Sequence, residues 1–171
     1  MSRAWLSIGS NIEPARHVGA ALELLAEEFG VLVCSPVYRT PAVGFDGEDF
    51  LNMVVGIDTD LPPRALARRL REFEDRCGRV RGGARFAART LDLDVLTYDD
   101  RVLDVGGLVL PRPEILEQAF VLGPLADVAP QELHPLRQTS YAVLWRAMKA
   151  PPLMKATLPA LDALRRAGRA R

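Results

Sequence analysis

Cysteine, net charge and long apolar runs are all scarce in this chain, and each scarcity narrows what the protein does. No apolar run approaches the roughly 20 residues that a membrane-spanning helix requires, so no transmembrane segment is expected. Met1 to Asn11 lacks a long apolar stretch after a basic start, so no secretory leader is expected and the cytoplasm is the expected location. The two cysteines, Cys34 and Cys77, are too few for a disulfide framework and read as reduced, structural thiols. Lys plus Arg number 22 and Asp plus Glu 22, which removes any overall attraction to nucleic acid or to an anionic membrane. Two common nucleotide motifs are also missing: neither G-x-x-x-x-G-K-[ST] nor G-x-G-x-x-G occurs, so an ATP site here belongs to another class. His17 and His134 are far apart and share no metal-ligand spacing. The expected partners are small molecules, with no nucleic acid and no membrane, and a monomer is favoured.

What is present fits a single folded domain. A length of 171 residues suits one hydrophobic core. Ala4–Ile8 reads as a buried strand that ends in a turn at Gly9, Ser10 and Asn11. Val18, Leu22, Leu25 and Phe29 have helical spacing over 14–29, with Gly30 as the stop. A second strand is predicted over 31–38, a loop over 40–49 and a third strand over 50–57. Thr59 and the prolines at 62 and 63 announce a helix carrying Leu66, Leu70, Phe73 and Cys77 on one face. Residues 79–89, with Gly82, Gly83 and several alanines, read as a mobile loop, and 91–98 as a fourth strand. Beyond it, a short helix is predicted at 114–119, a strand or buried turn at 120–125 and a helix at 136–148. Residues 151–171 read as a tail, a surface helix or frayed end, whose Leu158, Leu161 and Leu164 are spaced for one helical face. The order strand, helix, strand, strand, helix, strand predicts an α+β, ferredoxin-like fold with helices packed on an antiparallel sheet.

The chemistry concentrates in Arg89-Thr90-Leu91-Asp92-Leu93-Asp94-Val95-Leu96. Apolar and acidic residues alternate, so a strand here directs Leu91, Leu93 and Val95 to one side and Asp92 and Asp94 to the other, their Cα atoms roughly 7 Å apart. Two carboxylates so placed suit Mg²⁺ together with the oxygens of a phosphate chain. Arg76, Arg79, Arg81, Arg85 and Arg89 precede them and supply planar, bidentate contacts for phosphate. A flexible basic loop beside a metal-binding strand is a layout for phosphoryl transfer. Phe50 and Phe120 each open an apolar segment, and Asn52 lies two residues after Phe50 on the same strand face. Each Phe alone reads equally as a core residue, and Asn52 as either a hydrogen-bonded core amide or a ligand anchor, while two aromatic faces and one polar anchor together suit a flat heteroaromatic ligand.

These motifs resemble the 6-hydroxymethyl-7,8-dihydropterin pyrophosphokinase family over about residues 4–149. The resemblance rests on Ser7-Ile8-Gly9-Ser10-Asn11, Tyr38-Arg39-Thr40-Pro41 with Gly44, Phe50-Leu51-Asn52, Glu74, Gly78-Arg79-Val80-Arg81, Arg89-Thr90-Leu91-Asp92-Leu93-Asp94, and Phe120-Val121-Leu122 with Pro124-Leu125 and Ala129-Pro130. It implies a pyrophosphokinase domain over 1–150, followed by the tail. The implied reaction is transfer of a pyrophosphoryl group from ATP to a pterin alcohol, releasing AMP, in folate biosynthesis. The implied catalytic residues are Arg79, Arg89, Asp92 and Asp94, with Asp92 and Asp94 holding two Mg²⁺ ions. Thr40, Pro41, Val43, Gly44, Phe50, Asn52 and Phe120 would bind the pterin. Glu74, Arg81, Phe86, Arg89, Val95 and Arg112 would bind ATP. Phe86, Arg112 and Gln118 depart from the aromatic Trp, the His and the basic residue that the family often carries at those places. They leave open a second reading, a pterin-binding relative whose transfer activity is weakened or lost.

Overall fold

Leu6 and Ile8 point to one side of the first strand and Trp5 to the other, and that alternation divides the molecule into two cores. The computed structural model describes residues 1–78 and 90–171 of the chain. In chain order these form β1 (Ser2–Ser10), α1 (Pro14–Phe29), β2 (Val33–Cys34), β3 (Val37–Thr40), β4 (Phe50–Thr59), α2 (Pro63–Arg76) and β5 (Asp92–Tyr98). There follow β6 (Leu103–Val105), β7 (Leu108–Leu110), α3 (Glu114–Glu117), α4 (Ala119–Val128), α5 (Tyr141–Met148), β8 (Met154–Ala156) and α6 (Pro159–Arg166). The main sheet has the order β5-β1-β4-β3-β8, with β2 also on β4, and its neighbours are antiparallel. That order is compatible with the expected ferredoxin-like arrangement.

One face of the sheet packs Leu6, Ile8, Met53, Val55, Leu93 and Val95 against α1, α2 and α6. The other packs Trp5, Val54 and Leu96 against α3, α4 and α5 through Ile115, Leu122, Leu125 and Tyr141. Burial of a large apolar side chain contributes about 1.5–3 kcal/mol, so both layers matter to stability. Trp5 is buried but keeps its indole N–H bonded to Glu132 Oε2 at 2.8 Å. Both cysteines are free, and burial pushes the Cys34 thiol up to about 12 and raises Cys77 as well, in keeping with structural roles. Among the described residues no helix is long and apolar enough to cross a membrane.

Four segments differ from the sequence expectation, each for a local reason. The strand predicted over 31–38 is broken at Ser35-Pro36, where the Ser35 hydroxyl accepts the Val54 N–H at 2.9 Å. Residues 120–125 are neither strand nor turn but part of α4, which is apolar nearly all round because it lies between the sheet and α5 and therefore shows no polar face. The helix predicted from 136 begins at Tyr141. His134 Nδ1 accepts the N–H groups of Leu136 and Arg137 at 3.2 and 3.1 Å, which holds those residues in a turn, and Ser140 caps the helix through Val143 N–H at 3.3 Å. The segment 151–171 is not a frayed end: it holds the helix that its leucine spacing predicts, α6, with Leu158, Leu161 and Leu164 buried and the opposite side exposed, and β8 pairs with β3. The predicted loop 79–89 lies outside the described residues.

Candidate active site

Antiparallel pairing gathers the ends of four strands at one edge of the sheet. Gly9, near the end of β1, is the register partner of Asn52 on β4 and of Asp92 on β5. The Cα atoms of Asn52 and Asp92 therefore flank Gly9, about 10 Å apart by strand spacing. Asp94 lies opposite Ser7, and Thr40 opposite Phe50. Register partners share a face, so Thr40, Phe50, Asn52, Asp92 and Asp94 all point toward the α3–α4 layer. Leu93 and Val95 take the opposite side, as their alternation predicts.

Above this floor is a cleft of about 1190 Å³. It is large enough for two ligands of ordinary size. Thr40, Pro41, Val43, Phe50, Asn52 and Phe120 line one end. Asn52 is buried and its Nδ2 donates to Thr40 Oγ1 at 2.5 Å, which leaves its Oδ1 beside Gly9. A Cβ on Gly9 would lie 2.8 Å from that oxygen, so only glycine leaves the floor open there. Asp92, Asp94, Glu74, Val95 and Arg112 line the rest. The cleft wraps around the free edge of β5, which is why Val95 reaches it from the opposite side of the sheet. Gly44, with φ 82°, is a turn residue and not part of the lining. Arg79, Arg81, Phe86 and Arg89 lie outside the described residues.

The electrostatics centre on Asp94. Burial pushes its carboxyl up to about 7, and the neighbouring Asp92 carboxylate adds to the rise, while the Arg112 guanidinium opposes it. Arg112 Nη2 is 3.3 Å from Asp94 Oδ1, and its Nε is 3.1 Å from Glu114 Oε2. Glu74 is buried in α2 and accepts the Leu93 N–H at 3.1 Å, steadying the outer edge of β5. The donor set suits Mg²⁺. It offers hard oxygen ligands from two acids on one strand face, the number that Mg²⁺ takes from protein where substrate phosphates supply the rest.

Several lining groups were not singled out in the sequence. Phe45 meets Phe50 edge-on, with centroids 6.3 Å apart. Its signal, an aromatic inside a Gly-rich loop before Phe50, was available. The β6–β7 hairpin walls the far end of the cleft. Gly106 and Gly107, with φ of 59° and 83°, form its turn, and a Gly-Gly pair between short apolar runs is a hairpin signal. Glu114 had no such signal, because its importance comes from the spatial approach of Arg112.

Comparison with known proteins bears on the chain as a whole. Residues 5–130 match the model of the family described as 7,8-dihydro-6-hydroxymethylpterin-pyrophosphokinase (HPPK). A Methylorubrum extorquens protein named 2-amino-4-hydroxy-6-hydroxymethyldihydropteridine pyrophosphokinase is 43% identical over 134 residues, covering 76% of this chain and 84% of that protein. Its namesake from Pseudomonas aeruginosa is 38% identical over 134 residues, covering 76% and 82%. The fold is similar to that of wild-type Plasmodium falciparum HPPK-DHPS, with a TM-score of 0.68 at 12% identity over 86% of this chain, which spans 44% of the length of that larger one. By the extent of these matches, this chain belongs to the 7,8-dihydro-6-hydroxymethylpterin pyrophosphokinase family.

Proposed function

We propose that this protein transfers a pyrophosphoryl group from ATP to the hydroxymethyl oxygen of 6-hydroxymethyl-7,8-dihydropterin and releases AMP, a step of folate biosynthesis. The observation that carries the reading is the shared sheet face on which Phe50 and Asn52 stand on one side of Gly9 and Asp92 and Asp94 on the other. A pterin held at the first pair projects its hydroxymethyl group toward a phosphate chain held at the second.

Thr40 fixes the Asn52 amide, so that its Oδ1 is presented to ring N–H donors, while Phe50 and Phe120 supply apolar faces for the ring. Asp92 and Asp94 would hold two Mg²⁺ ions, which supply charge neutralisation along the phosphate chain and fix its geometry. Arg79 and Arg89 would stabilise charge that develops during transfer. The pterin oxygen attacks the β-phosphorus, its proton passes to water, the bond between that phosphorus and the α,β-bridging oxygen breaks, and AMP departs with the bridging oxygen. Positioning carries much of the acceleration, since effective molarity lowers such barriers by roughly 7–11 kcal/mol. No side chain is assigned as a general base.

Incubation with Mg²⁺, ATP and the reduced pterin is expected to yield AMP and the pyrophosphorylated pterin in equal amounts. Pterin binding without AMP would instead select the reading of a binding protein with lost transfer, to which Phe86, Arg112 and Gln118 point. A separate expectation concerns the floor. Gly9→Ala forces the Asn52 amide away and is expected to raise the pterin KM about tenfold, with a smaller effect on the KM for ATP. Equal effects on both constants would remove Asn52 from the pterin site.

A further inference from the structure

We propose that Arg112 is a tethered counter-ion that occupies Asp94 until the nucleotide arrives and then transfers to the phosphate chain, with Glu114 as its fixed second anchor. The proposal rests on the reading of Asp94 as a metal ligand and adds a coupling between metal and nucleotide binding.

Three features support it. First, the backbone of Arg112 is pinned. It stands between Pro111 and Pro113, both with ring-restricted φ, and its N–H donates to Leu96 O on β5 at 2.8 Å. Any switch therefore falls to the side chain. Second, the guanidinium bridges two acids that line the same cleft, with Nη2 on Asp94 at 3.3 Å and Nε on Glu114 at 3.1 Å. Third, Glu114 Oε2 is buried without a hydrogen bond despite that proximity. Glu114 faces Nε, nearer the stem of the side chain, while Asp94 faces the terminal Nη2, so the tip can turn away from Asp94 while Nε stays beside an acid with unused accepting capacity.

A guanidinium and a divalent cation cannot share the same carboxylate oxygen without repulsion. In the nucleotide-free protein Asp94 Oδ1 already faces Arg112, whose positive charge weakens the hold of Asp94 on a lone divalent cation. A triphosphate supplies negative charge on which Arg112 settles instead, and Asp94 is released to the metal. Metal and nucleotide then strengthen each other's binding through one side chain, and by linkage the effect is reciprocal. Glu114 acts as a positioning residue, since it touches neither reactant in this scheme.

The test measures Mn²⁺ binding to the whole chain by the loss of the free-ion paramagnetic resonance signal, with and without a non-hydrolysable ATP analogue, the Mn²⁺ held by the analogue alone being measured separately and subtracted. Without nucleotide, Arg112→Gln is expected to bind Mn²⁺ about tenfold more tightly than the wild type, and the strengthening produced by the analogue is expected to shrink by a similar factor. Glu114→Gln, which leaves Arg112 wholly to Asp94, is expected to weaken Mn²⁺ binding to the nucleotide-free protein. Opposite signs for these two variants exclude general loosening of the fold, and the smaller strengthening by the analogue in Arg112→Gln separates the latch from the simple change of charge beside Asp94, which would leave that strengthening as in the wild type. Unchanged or weaker Mn²⁺ binding in Arg112→Gln overturns the proposal. Asp94→Asn separates the two levels of the argument. If it loses Mn²⁺ while Arg112→Gln leaves the affinity unchanged, the latch alone fails, and if it keeps Mn²⁺ the metal assignment fails as well.

Discussion

Asp94→Asn is expected to reduce AMP formation by a thousandfold or more, on the order of the loss of a principal charge-stabilising group, and at the same time to make the metal-free protein more stable. The two effects have one cause. The Asp94 carboxyl is raised to about 7 by burial and by Asp92, above the value of about 3.9 it takes in an unfolded chain. A native pKa above the unfolded one means that the folded state binds the extra proton. Stability is therefore lost as pH rises from about 4 to about 7, and the penalty is complete above that window. Full conversion of such a shift corresponds to about 4 kcal/mol. The Asp94 side chain remains 28% accessible and keeps its contact with Arg112, so about 1–2 kcal/mol is the expected gain from the neutral isostere. For a chain of this size that raises Tm by roughly 2–8 °C. Thermal melts of both proteins between pH 4 and pH 8 should coincide at the acid end and separate as pH rises. Parallel curves would show that the buried charge carries no penalty, and AMP formation within tenfold of wild type would remove Asp94 from the metal site.

That site was legible because its signal is periodic. Asp92 and Asp94 alternate with Leu91, Leu93 and Val95, and in an edge strand this pattern has one outcome: acids on one face and core residues on the other. Phe50 and Asn52 follow the same rule on β4. Elements whose neighbours lie far away in sequence were harder to read. Helix α4 has no polar stripe, since both the sheet and α5 cover it, and a uniformly apolar segment does not reveal its period. Residues 136–140 have helix-compatible composition, but the ring of His134 takes the N–H groups of Leu136 and Arg137. Helix propensity yielded there to a local side-chain cap supplied from two and three residues upstream. Glu114 illustrates the same limit within the site. Nothing in Pro113-Glu114-Ile115 marks it, and the segment comes beside Asp94 through the hydrogen bond from Arg112 N–H to Leu96 O and the burial of Ile115 in the core.

The C-terminal segment carries the second large prediction. It lies beyond residues 5–130, where the family match ends, yet it completes the core. Leu158, Leu161 and Leu164 are each no more than 3% exposed and pack into the same cluster as Leu22, Leu25 and Met53. Helix α6 lies so close to α1 that a Cβ on Gly19 would be 3.0 Å from that of Ala160. The chain end then returns to the sheet, where Arg171 N–H donates to Leu32 O at 2.9 Å and Cys34 N–H donates to Arg171 O at 2.8 Å. Leu161→Ala and Leu164→Ala are each expected to cost about 2–5 kcal/mol. Together they approach the whole stability of an ordinary domain, about 5–15 kcal/mol, with coupling because the two side chains share one helix face. Deletion of 151–171 goes further. It uncovers that cluster and strips β8 from β3, the strand that ends in Thr40 at the pterin end of the cleft. The truncated chain is expected to bind a hydrophobic dye, to melt well below the full protein, and to lose pterin affinity before it loses affinity for ATP, because β5 and α2 are remote from β8 in the sheet order. A truncated protein that melts within a few degrees of the full chain would mean that α6 merely covers a core already closed by α1 and α2.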